Sequence, residues 1–254
     1  MQGIDFSSAN SVISIIIPTL NEEKLILKTL SQFTPELKKK FNLEIIVSDG
    51  GSDDKTIELV NKSSGIVDQI TVHKEHRKQN ISEGRNKGAS ISKGDVLIFF
   101  NADTCIRDTE YFFNKVLEIF NTTDVSAIAC PVYVFPEEEI MIDKMFHAFY
   151  NNYTRLINKI NLGMGRGEAH VMRRKVYLEQ NGYNEKLFAG EDYDLYKRIA
   201  GKGKIKFSKD LIIYESPRRY RKFGYFKVFM DWYLNSIYVT FFNKSSSDSW
   251  EPVR

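Results

Sequence analysis

Three short apolar runs constrain this chain more than anything else in it. They are SVISIII at 11–17, LEIIV at 43–47 and DVLIFF at 95–100, and each stops at a polar cluster. β-Branched runs of this length, apolar on both faces, are the pattern of buried parallel strands. The first is expected to close at Pro18. Shorter strands are expected at 70–72 and 125–130. Helical spacing falls between them: Leu25, Leu27, Leu30 and Phe33 after Asn21-Glu22-Glu23, then 56–60, 82–92 and 109–120. This β-α-β-α alternation predicts an α/β fold, a Rossmann-like, mostly parallel sheet flanked by helices with right-handed crossovers. Ligands in such sheets bind outside the C-terminal strand ends, where the polar clusters fall.

The second half is less regular. Residues 137–160 are expected to be helical, with Ile140, Met141, Met145, Phe149 and Leu156 as packing positions. A Gly-rich loop at 163–167, short helices at 173–180 and 192–200, and a strand at 212–214 follow. Residues 217–222 read as a basic turn, 223–242 as a strongly aromatic helix, and 245–254 as a polar tail.

Composition sets outer limits. Of the 254 residues, 42% are hydrophobic and 27% charged, which excludes a disordered or fibrous chain. The formal net charge of +3 is too small to imply a nucleic-acid partner. Cys105 and Cys130 form no CxxC pair and read as free thiols. No leader-like N-terminus and no apolar stretch of about 18 residues is evident, so the chain is expected in the cytoplasm.

Four clusters carry candidate chemistry. Pro18-Thr19-Leu20-Asn21-Glu22 ends the first strand and Asp49-Gly50-Gly51-Ser52-Asp53-Asp54 the second. Asp49 can accept hydrogen bonds from a base or ribose, and the glycines permit unusual backbone geometry. Alone, the second cluster would also serve as a plain turn with helix caps. Asn101-Ala102-Asp103 follows the third run, where a carboxylate can hold a hard divalent cation bridging two phosphates. Glu191-Asp192 opens a helix, as a general base or as helix-dipole compensation.

In order and spacing these clusters resemble family 2 glycosyltransferases, which have the glycosyltransferase-A fold. Pro18-Thr19-Leu20-Asn21-Glu22 is similar to the family's P-x-x-N-E. Asp49 to Thr56 looks like D-G-S-x-D-x-T with one extra glycine. Gly84-Arg85-Asn86-Lys87-Gly88 through Gly94-Asp95 resembles its G-x-R-N-x-G segment, Asn101-Ala102-Asp103 its D-x-D, and Glu191-Asp192 its E-D. The resemblance spans roughly residues 11–205. It implies an inverting transfer of sugar from a nucleotide-diphosphate donor, usually a UDP-sugar, to a hydroxyl on a glycan or lipid-linked acceptor, in cell-envelope polysaccharide or glycolipid synthesis. The Q-x-x-R-W motif of the processive synthases is absent, so a single, non-processive transfer is expected.

The roles implied are these. Pro18, Thr19, Glu22, Asp49, Gly50, Arg85, Asn101 and Ala102 bind the nucleotide. Asp103 ligates Mn2+ or Mg2+. Asp192, with Glu191 beside it, deprotonates the acceptor. Arg218, Arg219 and Arg221 meet the diphosphate or an anionic acceptor, and His170 stands on the acceptor side. Residues 1–222 would form the catalytic domain and 223–254 an aromatic amphipathic helix with its tail. That helix is read as packed in the domain or in a homodimer, with peripheral docking on the inner face of a membrane as the alternative.

Asn101, where the family has a first aspartate, is a weaker metal ligand and leaves open a nucleotide-sugar-binding protein without turnover. A sugar-phosphate nucleotidyltransferase would want a basic, Gly-rich loop after the first strand, where this chain has Asn21-Glu22-Glu23.

Overall fold

A computed structural model describes residues 12–246 and Val253. The first half alternates as expected. Its elements are β1 (Ile13–Thr19), α1 (Ile26–Ser31), α2 (Pro35–Phe41), β2 (Leu43–Asp49), α3 (Thr56–Lys62), β3 (Gln69–Val72), α4 (Ile81–Ile91), β4 (Val96–Phe100), β5 (Thr104–Ile106) and α5 (Thr109–Thr122). The second half continues with β6 (Ala127–Ala129), β7 (Val132–Val134), α6 (Met141–Lys159), β8 (Ala169–Arg173), α7 (Arg174–Glu179), α8 (Glu191–Ala200), β9 (Ile205–Phe207), β10 (Ile213–Glu215), α9 (Arg218–Phe223) and α10 (Tyr225–Phe242).

The main sheet runs β3-β2-β1-β4-β8-β6-β9, and a small second sheet runs β5-β10-β7. Strands β3, β2, β1 and β4 are mutually parallel, while β8 is antiparallel to both β4 and β6. The chain winds outward from β1 through β2 to β3, then returns to place β4 on the other flank of β1. That reversal opens a crevice at the C-terminal ends of β1 and β4. The mostly parallel sheet flanked by helices matches the fold class expected from sequence.

Burial follows the apolar runs. Every residue of β2 and β4 is buried, and one face of the sheet packs Phe33, Phe100, Phe112 and Phe113 against it. On the other face α4 lies directly on β1. A Cβ at Gly88 would stand 2.4 Å from Ile16 Cγ2, so only glycine allows this approach. Asn80 caps α4 by accepting from Glu83 N, while the Glu83 side chain accepts from Asn80 N.

Several expectations need correction. Strand β1 does not close at Pro18 but runs on to Thr19, paired with β2. Its ladder with β4 ends at Ile16, so the N–H that Pro18 lacks has no partner to lose. In α1 the inward positions are Ile26, Thr29 and Leu30, and Leu27 is exposed. The basic turn at 217–222 is mostly the short helix α9. The strand expected over 125–130 is only Ala127–Ala129, and β5, β7, β8 and β9 were not anticipated. These short strands are defined by distant partners and carry little local signal.

The largest correction is α6. Met141, Met145, Phe149, Leu156 and neighbouring Ile140, read as packing positions, are exposed. Its inward residues include Asp143, His147, Asn151, Thr154 and Asn158. Each finds polar partners inside: Asn151 bonds both backbone groups of Val132, Asn158 bonds Met164 N and O, and Asp143 accepts from Arg221 and Tyr225. The expected start of the first strand at Ser11, and the tail beyond Ser246 apart from Val253, lie outside the described residues.

Candidate active site

The crevice opens into a cavity of about 530 Å³, within the range of ligand sites. Its wall draws on residues from Pro18 to Val253, far apart in the chain. Pro18, Thr19 and Glu22 come from the end of β1, Gly50 from the end of β2, and Arg85 from α4. Asn101, Ala102 and Asp103 follow β4, Glu191 and Asp192 open α8, and Arg218 and Arg219 open α9.

Arg85 organises this wall. It is fully buried, and its Nη1 donates to Glu191 Oε1 at 2.7 Å. Its Nη2 donates to Asn101 Oδ1 at 3.0 Å and to the Gly167 carbonyl at 2.8 Å. One planar guanidinium therefore ties the Asn101 loop to the start of α8, a geometry lysine cannot reproduce. The bond to Asn101 uses one of the two lone pairs of its side-chain oxygen.

A second guanidinium bridges the other end. Arg218 Nη2 lies 2.8 Å from Glu22 Oε1 and 3.0 Å from Asp103 Oδ2. The carboxylate expected to hold a cation is thus already facing one.

Asp192 sits in the wall beside Glu191 at the N-terminus of α8. Burial pushes its carboxyl up to about 7, and the neighbouring Glu191 charge adds to this; Tyr193 N and Arg85 oppose it. A carboxyl poised there can take a proton near neutral pH.

Not every expected residue reaches the cavity. Asp49 is buried beneath the wall: it accepts from Thr19 Oγ1, Ser52 Oγ and the Gly51 and Ser52 amides. It holds the turn in which Gly51 adopts φ +92°. His170 is fully buried on β8, where Nδ1 meets Tyr183 OH at 2.6 Å. Burial, with Arg85 nearby, drives its pKa well below the usual histidine value, so it is neutral. Arg221 turns away to pair with Asp143.

Sequence reasoning missed a buried polar cluster in the cavity wall. Arg166 reaches Glu215 at 2.8 Å and Glu168 at 3.3 Å. Burial and the Glu168 charge drive Glu215 well above the usual carboxylate range. At Glu168 burial is the largest effect, but Arg166, the Glu215 hydrogen bond and a backbone hydrogen bond together offset it and hold the carboxyl down. Tyr150, Tyr153, Phe229, Trp232 and Tyr233 of α6 and α10 line the same side. Their pairing across 80 residues of sequence left no local signal.

The fold and this crevice define an α/β architecture with a ligand-sized cavity at the C-terminal ends of its parallel strands. The sequence matches the family described as Glycosyl transferase family 2 over residues 14–179, and the chain belongs to that family. It is similar to the glycosyltransferase AglE of Haloferax volcanii, 26% identical over 205 residues, which cover 79% of this chain and 65% of that protein. Over 100 residues it is 37% identical to a dolichyl N-acetyl-α-D-glucosaminyl phosphate 3-β-D-2,3-diacetamido-2,3-dideoxy-β-D-glucuronosyltransferase of Methanococcus voltae, covering 35% of this chain and 28% of that one. The fold matches a mannosyltransferase of Pyrobaculum calidifontis, in complex with GDP-Man and Mn2+, with TM-score 0.67 and 20% identity over 89% of this chain and 61% of the other. The chain thus spans about two-thirds or less of the length of these proteins.

Proposed function

We propose that this chain transfers a sugar from a nucleoside-diphosphate donor to a hydroxyl acceptor, once per encounter and with inversion. The observation that carries the reading is Asp192, a carboxyl raised to about 7 in the wall of the same cavity as Asp103 and Arg218. As carboxylate it removes the acceptor's proton while the acceptor oxygen attacks the anomeric carbon from the side opposite the leaving diphosphate. One displacement on one face inverts that carbon.

Pro18, Thr19, Glu22, Gly50 and Ala102 would surround the nucleotide, with Asp49 fixing the turn that presents Gly50. The similar mannosyltransferase binds GDP-Man, while the family resemblance favours uracil. Arg218 and Arg219 supply positive charge for the diphosphate. Glu168 and Glu215 stand beside the aromatic wall, where acceptor hydroxyls can hydrogen-bond.

The residues fit a divalent cation held jointly with substrate. Among the described residues no three His, Cys, Asp or Glu side chains could hold a metal alone. Asp103 offers one carboxylate oriented on a cation, and Mg2+ or Mn2+ commonly completes its shell with phosphate oxygens and water. When bound, the ion offsets the charge growing on the departing diphosphate.

A lipid-linked or glycan acceptor fits the naming of the Methanococcus relative. The deciding experiment is a thermal-shift screen of UDP- and GDP-sugars with and without Mn2+, followed by nucleoside-diphosphate release with candidate acceptors. Binding without turnover on any acceptor would leave a binding protein instead.

A further inference from the structure

Helix α6 is inside out. Amphipathic helices of soluble domains turn their apolar stripe to the core. Here Met141, Met145, Phe149, Leu156 and Ile160 form a stripe at helical spacing on the outer face, with Met145 67% and Phe149 56% exposed. The polar side is the one that packs inward. Beside it, α10 exposes Phe226, Tyr233, Phe241 and Phe242, with Phe226 at 79%. The two faces join: the Phe149 ring lies 5.7 Å from Phe229, whose ring stacks on Tyr233 at 6.2 Å. Contiguous apolar surface of this kind marks an interaction site.

The surrounding charge says what covers it. Residues 141–162 and 218–242 hold eight Lys and Arg against two Asp and no Glu. The whole chain carries only +3, so everything else together is net acidic. Asp143 is buried against Arg221 and Asp231 pairs with Lys227 on its own helix, while of the cations Arg218 faces Glu22 and Asp103 in the cavity and Lys144 lies 3.5 Å from Glu139. Lys144, Arg155 and Lys159 stand exposed on α6, and Lys222 on α9 just before α10. Among the described residues no helix is long and apolar enough to cross a bilayer. Apolar side chains flanked by cations on a helix that cannot span are the makings of an in-plane interfacial anchor.

We infer that α6 and α10 together form a docking face for an anionic lipid bilayer. Tyr153, Phe229 and Tyr233 belong both to these helices and to the cavity wall. Docking therefore sets the cavity mouth against the headgroups. If the proposed transfer is right, an acceptor anchored in lipid reaches Asp192 without leaving the membrane. That last step rests on the transferase reading, whereas the docking face does not.

Flotation with vesicles of phosphatidylcholine alone, or with about one-third phosphatidylglycerol, tests this directly. The chain should float with anionic vesicles and on the order of tenfold less with neutral ones. Met145→Glu/Phe149→Glu and Phe226→Glu/Phe241→Glu should each reduce flotation by about tenfold or more, and Leu27→Glu on α1 should not. Melting curves establish that the variants fold, and retained nucleotide binding in them separates loss of docking from loss of the site. Absence of flotation, or flotation unchanged in both double variants, overturns the proposal. So does a dimer in sedimentation velocity that the α6 variant makes monomeric, since a second copy would then own the face.

Discussion

Arg85 on α4 and Glu191 on α8, 106 residues apart in sequence, meet at 2.7 Å with almost no solvent on either side chain. The same guanidinium holds Asn101. The strand end that presents Asp103 and the helix that presents Asp192 are therefore positioned by one planar group.

Arg85→Gln leaves Glu191 buried without its cation. Removing one partner of a buried ion pair costs about 3–5 kcal/mol, so urea denaturation should show a loss of that size. Stability within 1 kcal/mol of the parent, on the order of an exposed pair, would show that Arg85 is not the strut described.

Asp192→Asn should lower transfer by about 10²–10⁴-fold while nucleotide binding persists. In the parent, the carboxylate is the active form and its pKa is about 7, so the rate should rise as pH rises through that value. Stability runs the other way. A carboxyl raised above its unfolded value binds its proton more tightly when folded, so its unfavourable contribution grows from about pH 4 to pH 7. The Asn variant should gain more in Tm at pH 8 than at pH 5. A pH–rate profile flat across neutrality would remove Asp192 from the base role.

Asp103 should couple nucleotide to metal. Mn2+ alone must compete with Arg218 for this carboxylate and should shift Tm little. Mn2+ with nucleoside diphosphate should shift it more than the two separate effects combined. Asp103→Asn should abolish that excess, and chelator should do the same to the parent. An excess that survives in the variant would place the cation elsewhere.

Gly88→Ala should destabilise by about 1–3 kcal/mol, the usual range for overpacking. The added methyl would stand 2.4 Å from Ile16 Cγ2. Ile16→Ala removes that methyl, so the double variant should be more stable than the two single losses predict. Strict additivity would mean that α4 and β1 do not meet as described.

Much of the cavity was legible because its residues hang on local signals. A β-branched run ending in Asp49-Gly50-Gly51 or Asn101-Ala102-Asp103 is a strand with a polar tip wherever it folds. Parallel strands then deliver their tips to one edge. The same logic misplaced His170. Its neighbours Gly163 to Gly167 suggest a loop, while β8 exists through pairing with β4 and β6. Helix α2 was not expected from the sequence, although Thr34 caps it and Pro35 opens its first turn.

By itself the sequence determined the parallel strands, the order of the polar clusters and the family, because apolar runs and turn chemistry act over a few residues. Tertiary structure alone decided that Arg85 is a buried strut, that Arg218 answers Asp103, that Arg166 gathers Glu168 and Glu215, and that α6 faces outward. A helical period fixes which residues share a side, but only the elements packed around a helix decide which side meets protein. For α6 those neighbours offer amides and cations to the polar face and leave the apolar one for a different partner.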